Sequence, residues 1–255
     1  MDTDDLPVGR ILNRREVMQV FGAALLVGSG DRTINQLAQV AGVQLPPCVV
    51  RPEQTEGPFF SDVELDRSDI RTEPSTGVVV SGVPLRLTFQ VSRIGDQECA
   101  PLPGAKVDLW QCDAAGQYSA FRDRGAGGDL RGQKFLRGYQ VTDDDGTARF
   151  TTIYPGWYRG RAVHIHFKIR TQVEQSGAHE FTSQLYFDDA LTDEVHARSP
   201  YAVRGVRRTR NSNDGIFRRT GDQLLLALTP DSEGYQATFG IGLDLSDSGA
   251  SRGRR

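Results

Sequence analysis

Two of the four histidines in this 255-residue chain stand one residue apart, in the run Arg161-Ala162-Val163-His164-Ile165-His166-Phe167. An extended chain sends successive side chains to opposite faces. His164 and His166 therefore share one face, and Val163, Ile165 and Phe167 share the other. Imidazole is the commonest protein metal ligand, and two nitrogens spaced along one strand face can reach one ion. Tyr158 stands just upstream, after Tyr154-Pro155-Gly156-Trp157, which reads as a turn into the histidine strand. A phenolate is a hard oxygen donor suited to a highly charged ion, and imidazole accepts iron, copper, zinc or nickel. The pair taken alone also reads as two half-exposed histidines on a sheet. Its chemistry depends on what the rest of the chain brings to that face.

The elements that must position these residues are strands. Val83, Leu85, Leu87, Phe89 and Val91 alternate with polar neighbours, a half-buried strand by pattern. Residues 105–110 form a second after the turn Pro101-Leu102-Pro103-Gly104. Residues 135–142 and 147–152 flank Asp143-Asp144-Asp145-Gly146, an Asp-Gly hairpin signal whose carboxylates lack the spacing of a calcium loop. Residues 181–187, 223–228 and 235–245 complete the set. Residues 191–197 have helical spacing with Thr192 as cap, which puts His196 on a solvent face; His179 falls in a loop. Six arginines over 203–219 read as a solvated, salt-bridged loop. Many short strands with little helix predict an all-β sandwich with long loops over residues 46–245, before a disordered tail at 246–255. There is no internal repeat. The net charge of −3 gives no argument for nucleic acid, and no apolar run reaches the roughly 20 residues of a membrane span. Cys48, Cys99 and Cys112 have no C-x-x-C spacing, and the sequence leaves open both a single disulfide and three buried thiols.

Further segments carry a resemblance. Pro155-Gly156-Trp157-Tyr158, with Arg161 and His164-Ile165-His166-Phe167, is similar to the metal-binding stretch of the intradiol ring-cleavage dioxygenases, the protocatechuate and catechol dioxygenase family. Asp113-Ala114-Ala115-Gly116-Gln117-Tyr118 resembles the family loop that bears a first tyrosine ligand. Gln184 in Thr182-Ser183-Gln184-Leu185 and Pro58-Phe59 in Thr55-Glu56-Gly57-Pro58-Phe59 resemble its glutamine strand and pocket arm. The resemblance implies an intradiol dioxygenase-like sandwich and a non-haem Fe(III) ion held by Tyr118, Tyr158, His164 and His166. It implies a catecholic aromatic and O₂ as substrates, with oxygen inserted between the two hydroxylated carbons to give a cis,cis-muconate-type diacid. Tyr158 would leave the metal and act as a base, Arg161 and Gln184 would stabilise charge on the ring, and Pro58, Phe59 and Arg161 would face the substrate. Arg161 would reach the site from the loop before the strand; its rival reading is a surface cation. Ala162-Val163 replaces the family's Pro-Ala, and Trp157 is bulky beside the ligand, both able to reshape the pocket. The helical domain of catechol-type relatives has no counterpart here, which implies a single-domain form.

Two other readings compete. A zinc hydrolase using the histidine pair needs a further carboxylate or histidine ligand, and a non-catalytic sandwich needs no stoichiometric metal. Arg14-Arg15 before the short apolar stretch 17–28 resembles a twin-arginine export signal, making 1–45 a signal and linker and the protein periplasmic or extracellular. The competing reading is an amphipathic N-terminal helix of a cytoplasmic protein. The preferred catechol and the oligomeric state, homo-oligomer included, stay open.

Overall fold

The structure is a computed structural model that describes residues 49–95, 99–122, 128–173 and 177–245. The export segment expected over 1–45, Cys48 and the tail 246–255 lie outside the described residues. In chain order the strands are β1 (Pro84–Ile94), β2 (Cys99–Pro101), β3 (Lys106–Trp110), β4 (Arg137–Val141), β5 (Thr147–Ile153), β6 (His164–Val173), β7 (Gly177–Tyr186), β8 (Thr229–Pro230) and β9 (Tyr235–Asp244). An eight-residue helix, α1 (Asp189–His196), follows β7, with short helical turns after it, among them Phe217–Thr220. Among the described residues, no helix is long and apolar enough to cross a membrane.

The strands form the two layers of a sandwich. In one, β1 pairs with β2 and β5 antiparallel and with β9 parallel, and β8 extends β9. The other has the order β4-β3-β6-β7, all antiparallel. The period-two pattern of β1 buries Leu85, Leu87, Phe89 and Val91, which meet Ile165, Phe167 and Ile169 of β6. Phe89, Phe167 and Phe239 interlock at centroid separations of 5.4–5.8 Å, tilted or edge-on as ring quadrupoles favour. The opposite face of β6 is also covered. Residues 49–60 run along β7, where Gln54 N donates to the Thr182 carbonyl at 3.0 Å and Ser183 Oγ to the Pro52 carbonyl at 2.7 Å. Lys168, on the same face as the histidines, is buried under this arm, paired with Glu56 and 4.3 Å from the Phe60 ring centre. Both faces of the histidine strand are thus sealed.

Several local expectations fail, each because a distant segment intervenes. The Asp-Gly turn at 143–146 closes no hairpin: β4 pairs with β3 and β5 with β1, so the turn carries the chain between sheets. Gly146 is docked on β1, accepting from Val91 N at 2.8 Å, and this draws the chain away from β4. Residues 223–228 form no strand. Leu224 and Leu226 are buried and Leu225 exposed, as in a strand, but the segment makes only a turn and one bridge from Leu225 to Tyr186. Burial alternates there without a ladder. Asp188, not Thr192, caps α1, accepting from Ala190 N and Leu191 N at 2.9 Å. Thr192 is buried against Tyr154. His196 is also buried, stacked on Tyr201 at 5.0 Å and bonded to the Pro155 carbonyl, because α1 packs over the 154–155 turn. His179 lies within β7 opposite Thr171, not in a loop. Cys99 is disulfide-bonded and Cys112 is a buried free thiol that burial pushes well above the usual range, so three reduced thiols are excluded.

Candidate metal centre

β6 places His164 opposite Tyr186 of β7, and His166 between Trp110 of β3 and Gln184 of β7. The His166 ring stacks on Trp110 at 5.1 Å, which fixes its plane. His164 Nδ1 donates to the Ala162 carbonyl at 2.7 Å, leaving the Nε2 lone pair free. That nitrogen faces Tyr158 Oη and His166 Nε2, each at 3.0 Å. Burial first, and then the positive charge of Arg161, hold His164 well below the usual histidine range. Burial does the same to His166, helped by His164 and by Arg161. Both rings are neutral and therefore available to a metal.

The two phenols arrive on loops that are packed backbone to backbone. After β3, Asp113 Oδ1 accepts from Ala115 N at 2.9 Å and Gln117 N at 2.8 Å, closing a turn in which Gly116 adopts φ 77°. The left-handed backbone there favours glycine, and an added Cβ would strike the Trp157 carbonyl. The turn delivers Tyr118 into a cluster with Trp110 and Cys112, its ring 5.8 Å from Tyr158 and 6.3 Å from His166. The second loop docks on the first, because Gly156 N donates to the Asp113 carbonyl at 3.1 Å. Phe59 of the arm covers the cluster, stacked on Tyr118 at 4.3 Å and edge-on to Tyr158 at 6.1 Å. Pro58 beside it is exposed in the turn of the arm.

The Tyr118 hydroxyl is buried without a well-formed hydrogen bond in the protein. Burial, and next the neighbouring Tyr158, push its phenol well above the ordinary range. A buried hydroxyl without a partner is costly, and a multivalent cation at this point would reverse the local preference and favour phenolate. Two neutral imidazoles and two phenols therefore fit a hard, highly charged metal ion. Among the described residues, no third histidine, cysteine or carboxylate joins the pair in a group of three. The hydrolase reading needs such a ligand and finds none among the described residues.

Arg161 is not a surface cation. It is buried in the loop ahead of β6, as strand parity demands. Its Nε donates to Asp214 Oδ2 at 3.0 Å and its Nη2 to Gln184 Oε1 at 2.6 Å. Burial acts against its charge, but Tyr158, Tyr186 and Asp214 outweigh it and raise Arg161 above the usual arginine value. Gln184 is fully buried and donates to the Thr55 carbonyl at 2.9 Å, linking the arm to the site. Trp157 packs against the main core, with Arg204 over its ring at 4.9 Å.

Sequence reasoning missed three participants. Asp214 sits in the stretch expected to be solvated, yet its side chain is fully buried. Tyr186 has its hydroxyl 2.9 Å from Gln54 Oε1 and 3.1 Å from Gln184 Oε1. Arg137 is buried on β4 and donates to the carbonyls of Phe59 and Ser119, each at 2.7 Å, tying the arm to the Tyr118 loop. Burial lowers Arg137 to about 10. Nothing in a single arginine or aspartate marks such burial.

The chain is similar to known dioxygenases. The Dioxygenase_C family model, described as Dioxygenase, matches residues 55–216. An intradiol ring-cleavage dioxygenase from Tetranychus urticae is 32% identical, covers 77% of this chain and 95% of its own, and superposes with a TM-score of 0.65. The chain belongs to the intradiol dioxygenase family. The dioxygenase domain of a dioxygenase carbohydrate-binding protein fusion from Streptomyces sp. SirexAA-E is also 32% identical, over 77% of this chain and 99% of that one, with a TM-score of 0.54. A catechol 1,2-dioxygenase from Candida albicans is 31% identical over 58% of this chain and 50% of its own. The chain thus spans about half the length of the curated relatives it matches.

Proposed function

We propose that this protein is a non-haem Fe(III)-dependent dioxygenase. It cleaves a catecholic aromatic between its two hydroxylated carbons with O₂, giving a cis,cis-muconate-type diacid. The observation that carries this reading is the meeting of two neutral imidazoles and two phenols from three separate segments: Tyr158 Oη and His166 Nε2 stand 3.0 Å from His164 Nε2, and the Tyr118 ring lies 5.8 Å from Tyr158 and 6.3 Å from His166. Tyr118, Tyr158, His164 and His166 would hold the iron. Ferric iron bound there would supply Lewis acidity and a redox partner for the substrate.

The chain's own groups divide the remaining work. Tyr158 is only half-buried, whereas Tyr118 is buried, so Tyr158 is the side chain better able to shift; as the phenolate that a metal would hold, its Oη would take a substrate hydroxyl proton and become the neutral phenol. Arg161 has spent Nε and Nη2 on protein partners, and its buried Nη1 has none. That donor is placed to meet negative charge developing on the ring, in a site where burial strengthens electrostatics. Phe59 packs on both phenols and Phe121 stands edge-on to Phe59, an aromatic wall that suits a flat aromatic substrate.

The deciding experiment is the visible spectrum of the iron-loaded protein before and after anaerobic addition of catechol. A tyrosinate-to-Fe(III) charge-transfer band that shifts on addition supports the reading. A colourless protein, or one that prefers zinc, overturns it. We also propose export through the twin-arginine route; N-terminal sequencing of protein recovered outside the cytoplasm tests this, and an intact Met1 with Arg14-Arg15 retained counts against it.

A further inference from the structure

Arg161 reaches the site from a loop, not a strand, so something other than a backbone ladder must hold its guanidinium. Three features mark Asp214 as that holder. Its Oδ2 accepts from Arg161 Nε at 3.0 Å and from the backbone N of Ala162 at 2.6 Å, gripping side chain and main chain of the same loop. Its Oδ1 accepts from Ile216 N at 2.7 Å and Phe217 N at 3.1 Å, so the carboxylate is itself pinned and cannot swing. Both partners are withdrawn from water, with side chains 7% and 0% exposed.

We propose that Asp214 is a positioning residue for ring cleavage: it locks the Arg161 fork so that Nη2 engages Gln184 and Nη1 is left over for the substrate. This rests on the intradiol reading above. The arrangement is directional. A guanidinium is a planar five-donor fork, and fixing its Nε edge fixes where the two Nη groups point. Gln184 Oε1 receives Nη2, and the Tyr186 hydroxyl buttresses that oxygen at 3.1 Å. Nη1 remains buried and without a partner. A carboxylate 53 residues away in sequence thus decides the aim of the donor that faces the ring.

The test uses the full chain with Asp214→Asn, which keeps an oxygen for the Ile216 and Phe217 amides but loses the charge. A misaimed donor is expected to lower kcat by about a hundredfold. The anaerobic dissociation constant for catechol and the resting charge-transfer band should stay near those of the wild type, because no metal ligand is touched. In an Arg161→Ala background the same change should cost nothing further, the signature of a residue that acts through Arg161. A kcat for Asp214→Asn within about twofold of wild type, or an equal loss in both backgrounds, overturns the proposal. Asp214→Glu, which keeps the charge but displaces it, serves if the asparagine variant does not fold, and a wild-type kcat in it has the same meaning. A second readout needs no turnover. In the metal-free protein the Arg161 Nε–H should give a slowly exchanging NMR signal, assigned by its loss in Arg161→Lys and abolished in Asp214→Asn. A rapidly exchanging signal in the wild type refutes the lock. If that signal is slow yet no catechol is cleaved, the intradiol reading fails instead.

Discussion

Gly116→Ala tests whether the two phenols are placed by direct packing of their loops. Gly116 has φ +77°, where an L side chain costs about 1–2 kcal/mol. Its added Cβ would also stand 2.2 Å from the Trp157 carbonyl oxygen. Restoring an ordinary contact requires the Tyr118 and Tyr158 loops to part by about 1 Å. Strain and displacement together should cost about 2–4 kcal/mol, lowering Tm by about 5–12 °C for a domain of this size. The same displacement separates Tyr118 from Tyr158, two of the four proposed metal donors. Thermal unfolding of the metal-free protein should be measured beside iron content and charge-transfer absorbance of the loaded protein. Gly104→Ala is the control, because Gly104 has φ +75° but nothing within 4 Å of an added Cβ, so it carries strain alone. If Gly116→Ala unfolds no earlier than Gly104→Ala and binds iron with an unchanged band, the loops are not positioned by this contact.

Three other outcomes follow from the same geometry. Tyr118→Phe removes a buried hydroxyl that has no good partner, so the metal-free protein should be unchanged or up to about 1 kcal/mol more stable, while iron content and colour fall; a clear loss of metal-free Tm contradicts this. Arg137→Met strips the Phe59 and Ser119 carbonyls of their donor and should cost about 2–4 kcal/mol, with faster proteolysis of the arm around Phe59 as the readout. Burial keeps His164 and His166 neutral in the folded metal-free chain, so below the unfolded histidine value of about 6.5 the unfolded state binds more protons. Stability should then fall with decreasing pH, by up to about 1.4 kcal/mol per pH unit for each ring, and His164→Asn with His166→Asn should flatten the profile.

The donor types and their local placement were legible in the chain. Side-chain alternation is a property of extended backbone, so the shared face of His164 and His166 needs no tertiary information. The same parity put Arg161 in the preceding loop, where it stands. The strands at 84–94, 106–110, 164–173 and 235–244 follow the apolar alternation that a half-buried sheet imposes. The turn before Tyr118 is local too, since Asp113 and Gly116 close it within five residues.

Pairing and burial were decided elsewhere. The Asp-Gly turn crosses between sheets because Gly146 docks on β1, a contact no local pattern encodes. His196 is buried because a turn some forty residues away lies beneath its helix. Asp214 becomes the anchor of Arg161 because packing brings an arginine-rich loop over the end of β6, across 53 residues of chain. Backbone geometry acts over a few residues and can be read in order. Desolvation and partner choice depend on which distant segments meet, and only the folded chain sets them.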